Sequence, residues 1–184
     1  MLPYACIKKI LSAIILIANL LFASISSNAQ KFVEPPVMQA NWSEDYTPFR
    51  IAGNLYYVGT YDLACYLITT PKGNILINTG LAGSVPMIRK HIEALGFKFS
   101  DIKILLATHA HYDHVAGMAE IKKLTGAKIM INEKDAQVLA DGGNSDYAFG
   151  GKGSTFQPVK ADQLLHEHDT VKFGGMKIAV LYHP

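Results

Sequence analysis

Beyond residue 46 the apolar and polar positions follow two periods. Residues 55–59, 64–69 and 75–78 are short runs rich in β-branched and aromatic side chains, cut by Thr60-Tyr61-Asp62 and by the turn-forming Pro71-Lys72-Gly73-Asn74. Runs of that length between turn residues predict an antiparallel meander. The period then lengthens. Val85, Ile88, Ile92 and Leu95 recur at helical spacing, with Ser84 as N-cap, Pro86 in the first turn and Gly96 as the stop. This predicts a helix over 85–95 with His91 off its apolar stripe and solvated. Further on, the pattern predicts a strand at 104–107, a helix at 115–124 stopped by Thr125-Gly126, a strand at 128–132, a short helix at 133–141 and a last strand at 176–182. Strand and helix in alternation imply a parallel portion of sheet, so the expectation is an α/β fold with a mixed sheet that carries helices on one face. Residues 142–158 are glycine-rich and aperiodic, and predict a long surface loop of the kind that often serves function.

The first 29 residues belong to a different pattern. Lys8 and Lys9 precede a 13-residue apolar stretch at 10–22, and Ser27-Asn28-Ala29 offers small residues for cleavage before Gln30. That is the layout of a signal peptide removed after Ala29, and the stretch falls short of the roughly 20 residues a membrane span needs. The expectation is export to the periplasm, a mature domain over 30–184 and no stable membrane anchor. Residues 30–46, with Pro35 and Pro36, read as a lead-in. Without Lys8 and Lys9 the 17 Lys and Arg of the whole chain fall by two, to match its 15 Asp and Glu. A balanced chain with no basic run has no electrostatic footprint for nucleic acid. Cys6 leaves with the leader, so Cys65 stands alone inside an apolar run and is expected to be a small core residue.

The chemistry is concentrated at residues 108–114, Thr-His-Ala-His-Tyr-Asp-His, which follow the strand at 104–107 directly. Three imidazoles and a carboxylate in six positions are the nitrogen and oxygen ligands that zinc accepts. In an extended segment His109 and His111 share a face and would grip one ion together. Asp113 and His114 break the alternation and are free to serve a second ion, and paired ions imply metal-assisted hydrolysis. His166-Glu167-His168 repeats the alternate spacing in a polar setting and is expected to be a solvated turn. Tyr112, between the candidate ligands, is expected to turn away and pack.

The run from His109 to His114 resembles the zinc signature of the metallo-β-lactamase superfamily, whose fold is an αβ/βα sandwich. Three other stretches are similar to the third subclass of the class B β-lactamases: residues 48–59, Ile75-Leu76-Ile77-Asn78-Thr79-Gly80, and residues 142–150 with their Gly-Gly-x-Ser-Asp core. The resemblance implies that His109 and His111 bind one Zn2+ while Asp113 and His114 bind a second. It also implies that a metal-bound hydroxide, oriented by Asp113, opens the β-lactam ring of an antibiotic and so confers resistance. Each ion would need one further His, which in the family follows a His-Pro-Gly motif or comes later still. The chain ends at His183-Pro184, so the resemblance makes it the N-terminal part of a longer enzyme, with His183 the non-ligand His of that motif. In the loop, Asn144, Ser145, Tyr147 and Phe149 lie where the family covers its substrate groove, and the aromatics equally suit anchoring of the loop to the core. Two other readings stay open: an exported lactonase or thioesterase-like hydrolase of the same superfamily, and a non-catalytic fragment with a partial zinc site.

Overall fold

The computed structural model describes residues 40–150 and 153–183; the expected leader and most of the lead-in lie outside them. Seven strands form one sheet whose spatial order is their order in the chain: β1 (Phe49–Ala52), β2 (Leu55–Tyr57), β3 (Tyr66–Thr70), β4 (Gly73–Ile77), β5 (Ile102–Leu106), β6 (Lys128–Asn132) and β7 (Gln163–Leu165). β1 to β4 are antiparallel and β4 to β7 are parallel, so β4 joins the meander to the crossover half. The change of direction has a local cause. The connections at 53–54, 58–65 and 71–72 carry no helix and are too short for a crossover, so they reverse the chain, whereas the helices that follow β4, β5 and β6 return it to the same end of the sheet.

Those helices are α1 (Val85–Ala94), the pair α2 (Tyr112–Val115) and α3 (Met118–Thr125), and α4 (Ala136–Asp141). They cover one face of the sheet. Leu67, Leu76, Leu105, Ile129 and Ile131 point into that layer and meet Ile88 and Ile92 of α1, Met118 and Ile121 of α3 and Leu139 of α4. The alternate residues Ile75, Ile104, Leu106 and Met130 point the other way and pack with a hairpin of β8 (Thr170–Phe173) and β9 (Met176–Ala179). Strands buried on both faces read as unbroken apolar runs, which is why β4, β5 and β6 were the most visible in the sequence. No helix among the described residues is long and apolar enough to cross a membrane.

Several expectations are corrected. The helix expected at 115–124 is α3, starting three residues later and preceded by the separate turn α2; between them, an added Cβ at Gly117 would lie 2.8 Å from Val85 Cγ2 and 3.0 Å from the Thr79 carbonyl oxygen. Ser84 makes no side-chain cap; a 3-10 turn, Ala82–Ser84, runs straight into α1 and leaves Ser84 with helical dihedrals. Gly96 does stop that helix, with φ +86°. His91 is buried rather than solvated. Its Nε2 lies 2.7 Å from Asp45 Oδ1 and its Nδ1 3.0 Å from the Val58 carbonyl, so a segment from the lead-in crosses α1 and covers it. The expected surface loop has a buried base. Gly142 and Gly143, both at positive φ, fold against Phe156, itself 1% exposed. Cys65 is a core residue, and burial pushes its thiol up to about 12.

Candidate metal centre

The histidine run lies at the carboxyl end of β5, on the rim where open α/β sheets place their ligands. Two neighbouring elements hold it in shape. Beyond β4, Asn78 takes a left-handed φ of 59°, is 3% exposed, and donates its backbone N–H to Leu106 O at 2.8 Å. Its Oδ1 accepts from Thr108 N at 3.0 Å and from Thr108 Oγ1 at 3.2 Å, and its Nδ2 lies 3.1 Å from His114 Nδ1. A backbone N–H can only donate, so the amide oxygen must face Thr108 and the amide nitrogen must face the imidazole. Thr79 adds two bonds to the His114 carbonyl, from its N–H at 2.8 Å and its hydroxyl at 3.2 Å. From the other side, Asp135 accepts the Ala110 N–H at 3.0 Å, which fixes the backbone between His109 and His111.

The result is a cluster. The rings of His109 and His111 have centroids 4.5 Å apart at 88°, and those of His109 and His114 4.0 Å apart at 49°. Asp113 Oδ2 is 3.4 Å from His114 Nε2. Desolvation first, and neighbouring imidazoles after it, depress the protonation of His109, and of His114 to about 4. At neutral pH both rings are therefore neutral, the form that ligates a metal. Among the described residues no three His, Cys, Asp or Glu side chains converge on one point as a closed metal cage. The donor chemistry fits zinc all the same: neutral imidazoles and a carboxylate, held by bonds to neighbouring groups, beside an open cleft.

That cleft, about 700 Å³, is lined by His109, His111, Asp135, Tyr147, Tyr182 and His183 among others. Tyr147 is 96% exposed over it, and Phe149 sets its ring edge-on to His111 at 5.1 Å and 82°. Asn144 and Ser145 do not line the cleft; the Asn144 side chain donates to the Asp141 carbonyl at 2.6 Å, and the Ser145 N–H to the Asp141 carboxylate at 3.3 Å. Tyr112 packs inward, 6% exposed, against Trp42. His166 and His168 are exposed in a turn, with His166 near Asp169 and Glu133. Three residues of the site went unassigned in the sequence: Asn78, Asp135 and Asp146, whose Oδ2 stands 3.3 Å from His111 Nε2. Asn78 and Asp146 lay inside the family-like stretches, which was the signal available for them.

The profile described as Metallo-beta-lactamase superfamily matches residues 59–184. Among solved structures, the chain is 64% identical to the class B3 di-zinc metallo-beta-lactamase LRA-12 from an Alaskan soil metagenome, with a TM-score of 0.81 over 83% of this chain and 58% of that one. It is 53% identical to the metallo-beta-lactamase GOB-18 from Elizabethkingia meningoseptica, with a TM-score of 0.83 over 85% of this chain and 58% of that one. A curated relative, the hydroxyacylglutathione hydrolase of Rhodopseudomonas palustris, is 29% identical over 119 residues, 65% of this chain and 38% of that protein. The chain thus spans about two fifths of the length of the curated relatives it matches.

Proposed function

The chain belongs to the metallo-beta-lactamase superfamily, and from that premise we propose that the protein is a zinc-dependent hydrolase that opens the β-lactam ring of antibiotics and so confers resistance. The observation that carries this reading is the gathering of His109, His111, Asp113 and His114 on one rim of the sheet, in a fold shared at 64% identity with a class B3 di-zinc enzyme. Thioester hydrolysis is the competing reading, and its support is the 29% identity to a hydroxyacylglutathione hydrolase.

In this mechanism His109 and His111 would hold one ion, and Asp113 and His114 a second. Zinc bound there supplies Lewis acidity and brings the pKa of a bound water near neutrality. The chain's residues do the positioning. Asp113, on the first turn of α2, orients the attacking water toward the lactam carbonyl. Asn78 holds the Thr108 backbone beside the cluster, Thr79 fixes the His114 carbonyl, and Asp135 fixes the backbone between His109 and His111. Tyr147 lines the cleft and Phe149 packs edge-on against His111, so the pair would flank the ring system of a bound substrate. Export to the periplasm, supported by the leader pattern of residues 1–29, would put the enzyme where β-lactams act.

His111→Ala in the full-length protein tests the assignment. It is expected to abolish β-lactam hydrolysis while the thermal transition and export are retained. Full activity in the variant would remove His111 from the site.

A further inference from the structure

Asp146 is a buried carboxylate that the reaction as described does not use. It belongs to the loop after α4, its side chain is 5% exposed, and its two oxygens face different neighbours. Oδ1 accepts the backbone N–H groups of Ala148 at 2.7 Å and Phe149 at 3.0 Å. Oδ2 stands 3.3 Å from His111 Nε2. The main chain reinforces the turn: Asp146 N–H donates to Gly143 O at 3.3 Å, and Gly150 N–H to Asp146 O at 2.8 Å. The residue therefore touches at once the turn that carries Tyr147 and Phe149 and the ring that Phe149 meets edge-on.

We propose that Asp146 is a positioning residue that couples the aromatic loop to the metal centre: one oxygen fixes the His111 ring and the other fixes the turn that presents Tyr147 and Phe149. This rests on the zinc reading of the preceding subsection. A carboxylate only accepts hydrogen bonds, so it favours the imidazole form with a proton on Nε2 and leaves Nδ1 as the lone-pair nitrogen. Pairing of a ligand histidine's second nitrogen with a carboxylate orients the ring and raises its basicity. Because the same side chain caps Ala148 and Phe149, a ring locked by metal also steadies the loop, and a steadied loop returns the ring to its metal-binding pose.

The test compares the full-length protein with D146N and D146A, measuring zinc affinity by competition with a chromophoric chelator and loop exposure by chymotryptic cleavage after Tyr147 and Phe149, with and without zinc. D146N keeps an amide oxygen for the two N–H caps but presents an NH2 to Nε2, which favours the wrong ring tautomer. It is expected to weaken zinc binding by about 10–100-fold with the zinc-free loop cut no faster than in wild type. D146A is expected to lose both properties, and zinc should protect the loop in wild type only. Circular dichroism confirms that each variant folds. Wild-type zinc affinity in D146N, with only D146A loosening the loop, would overturn the coupling and leave Asp146 a turn cap. A wild-type protein that takes up no zinc would overturn the hydrolase reading and this one together.

Discussion

Asn78 carries more of the site than its size suggests. It holds a left-handed backbone that costs most side chains about 1–2 kcal/mol, and its amide is shared between Thr108 and His114. Asn78→Ala would remove the acceptor of the part-buried Thr108 N–H, and a typical hydrogen bond contributes about 0.5–1.5 kcal/mol. We expect a lower denaturant midpoint and reduced hydrolysis together, measured by urea unfolding and by the rate of substrate loss. Cys65 gives a pH-dependent prediction. Burial raises its thiol from 9.0 to about 12, so as pH climbs above 9 the unfolded chain ionises and the folded one does not. This residue therefore withdraws stability progressively between those values, and thiol reagents at pH 8 should leave Cys65 unmodified until the protein is denatured. The candidate ligands were legible because they are neighbours in sequence and chemically distinctive. Asn78 and Asp146 were not, since a lone Asn or Asp looks like turn chemistry until the fold brings it 30 or more residues along the chain to a histidine. His91 was misread for the same reason, its partner Asp45 being 46 residues away.

At the scale of elements, the sequence displayed what is long and buried and hid what is short and half-exposed. β4, β5 and β6 stood out as apolar runs, whereas β1, with all four residues exposed, and β7, with only Leu165 buried, carried too little pattern to register. α2 went unexpected because Tyr112–Val115 is a single turn within the histidine run. Gly117 lies between α2 and α3 where an added Cβ would meet Thr79 and Val85, and Thr79 also bonds the His114 carbonyl. Gly117→Ala should overpack the joint and cost about 1–3 kcal/mol, read as a fall in Tm with zinc affinity reduced alongside it. Retention of both would mean that the joint yields without disturbing the site.

For the whole molecule, the meander, the crossover helices and the glycine-rich loop all deliver side chains to the same rim. The fold class could be anticipated because strand-turn-strand and strand-helix-strand patterns occur in separate halves of the chain, which is what a mixed sheet requires. The hairpin of β8 and β9 was only half visible: its second strand was expected and its first was not, because Thr170–Phe173 alternates within a polar stretch. Chemistry distinguishes β-lactam from thioester hydrolysis better than fold does, since a metallo-beta-lactamase and a hydroxyacylglutathione hydrolase both resemble this chain. The most direct test is carbapenem hydrolysis by the full-length protein, followed as absorbance loss before chelation, after chelator dialysis and after zinc is restored. Absorbance loss should stop on chelation and return with zinc; hydrolysis indifferent to the chelator, or none with zinc present, would rule out a zinc β-lactam hydrolase.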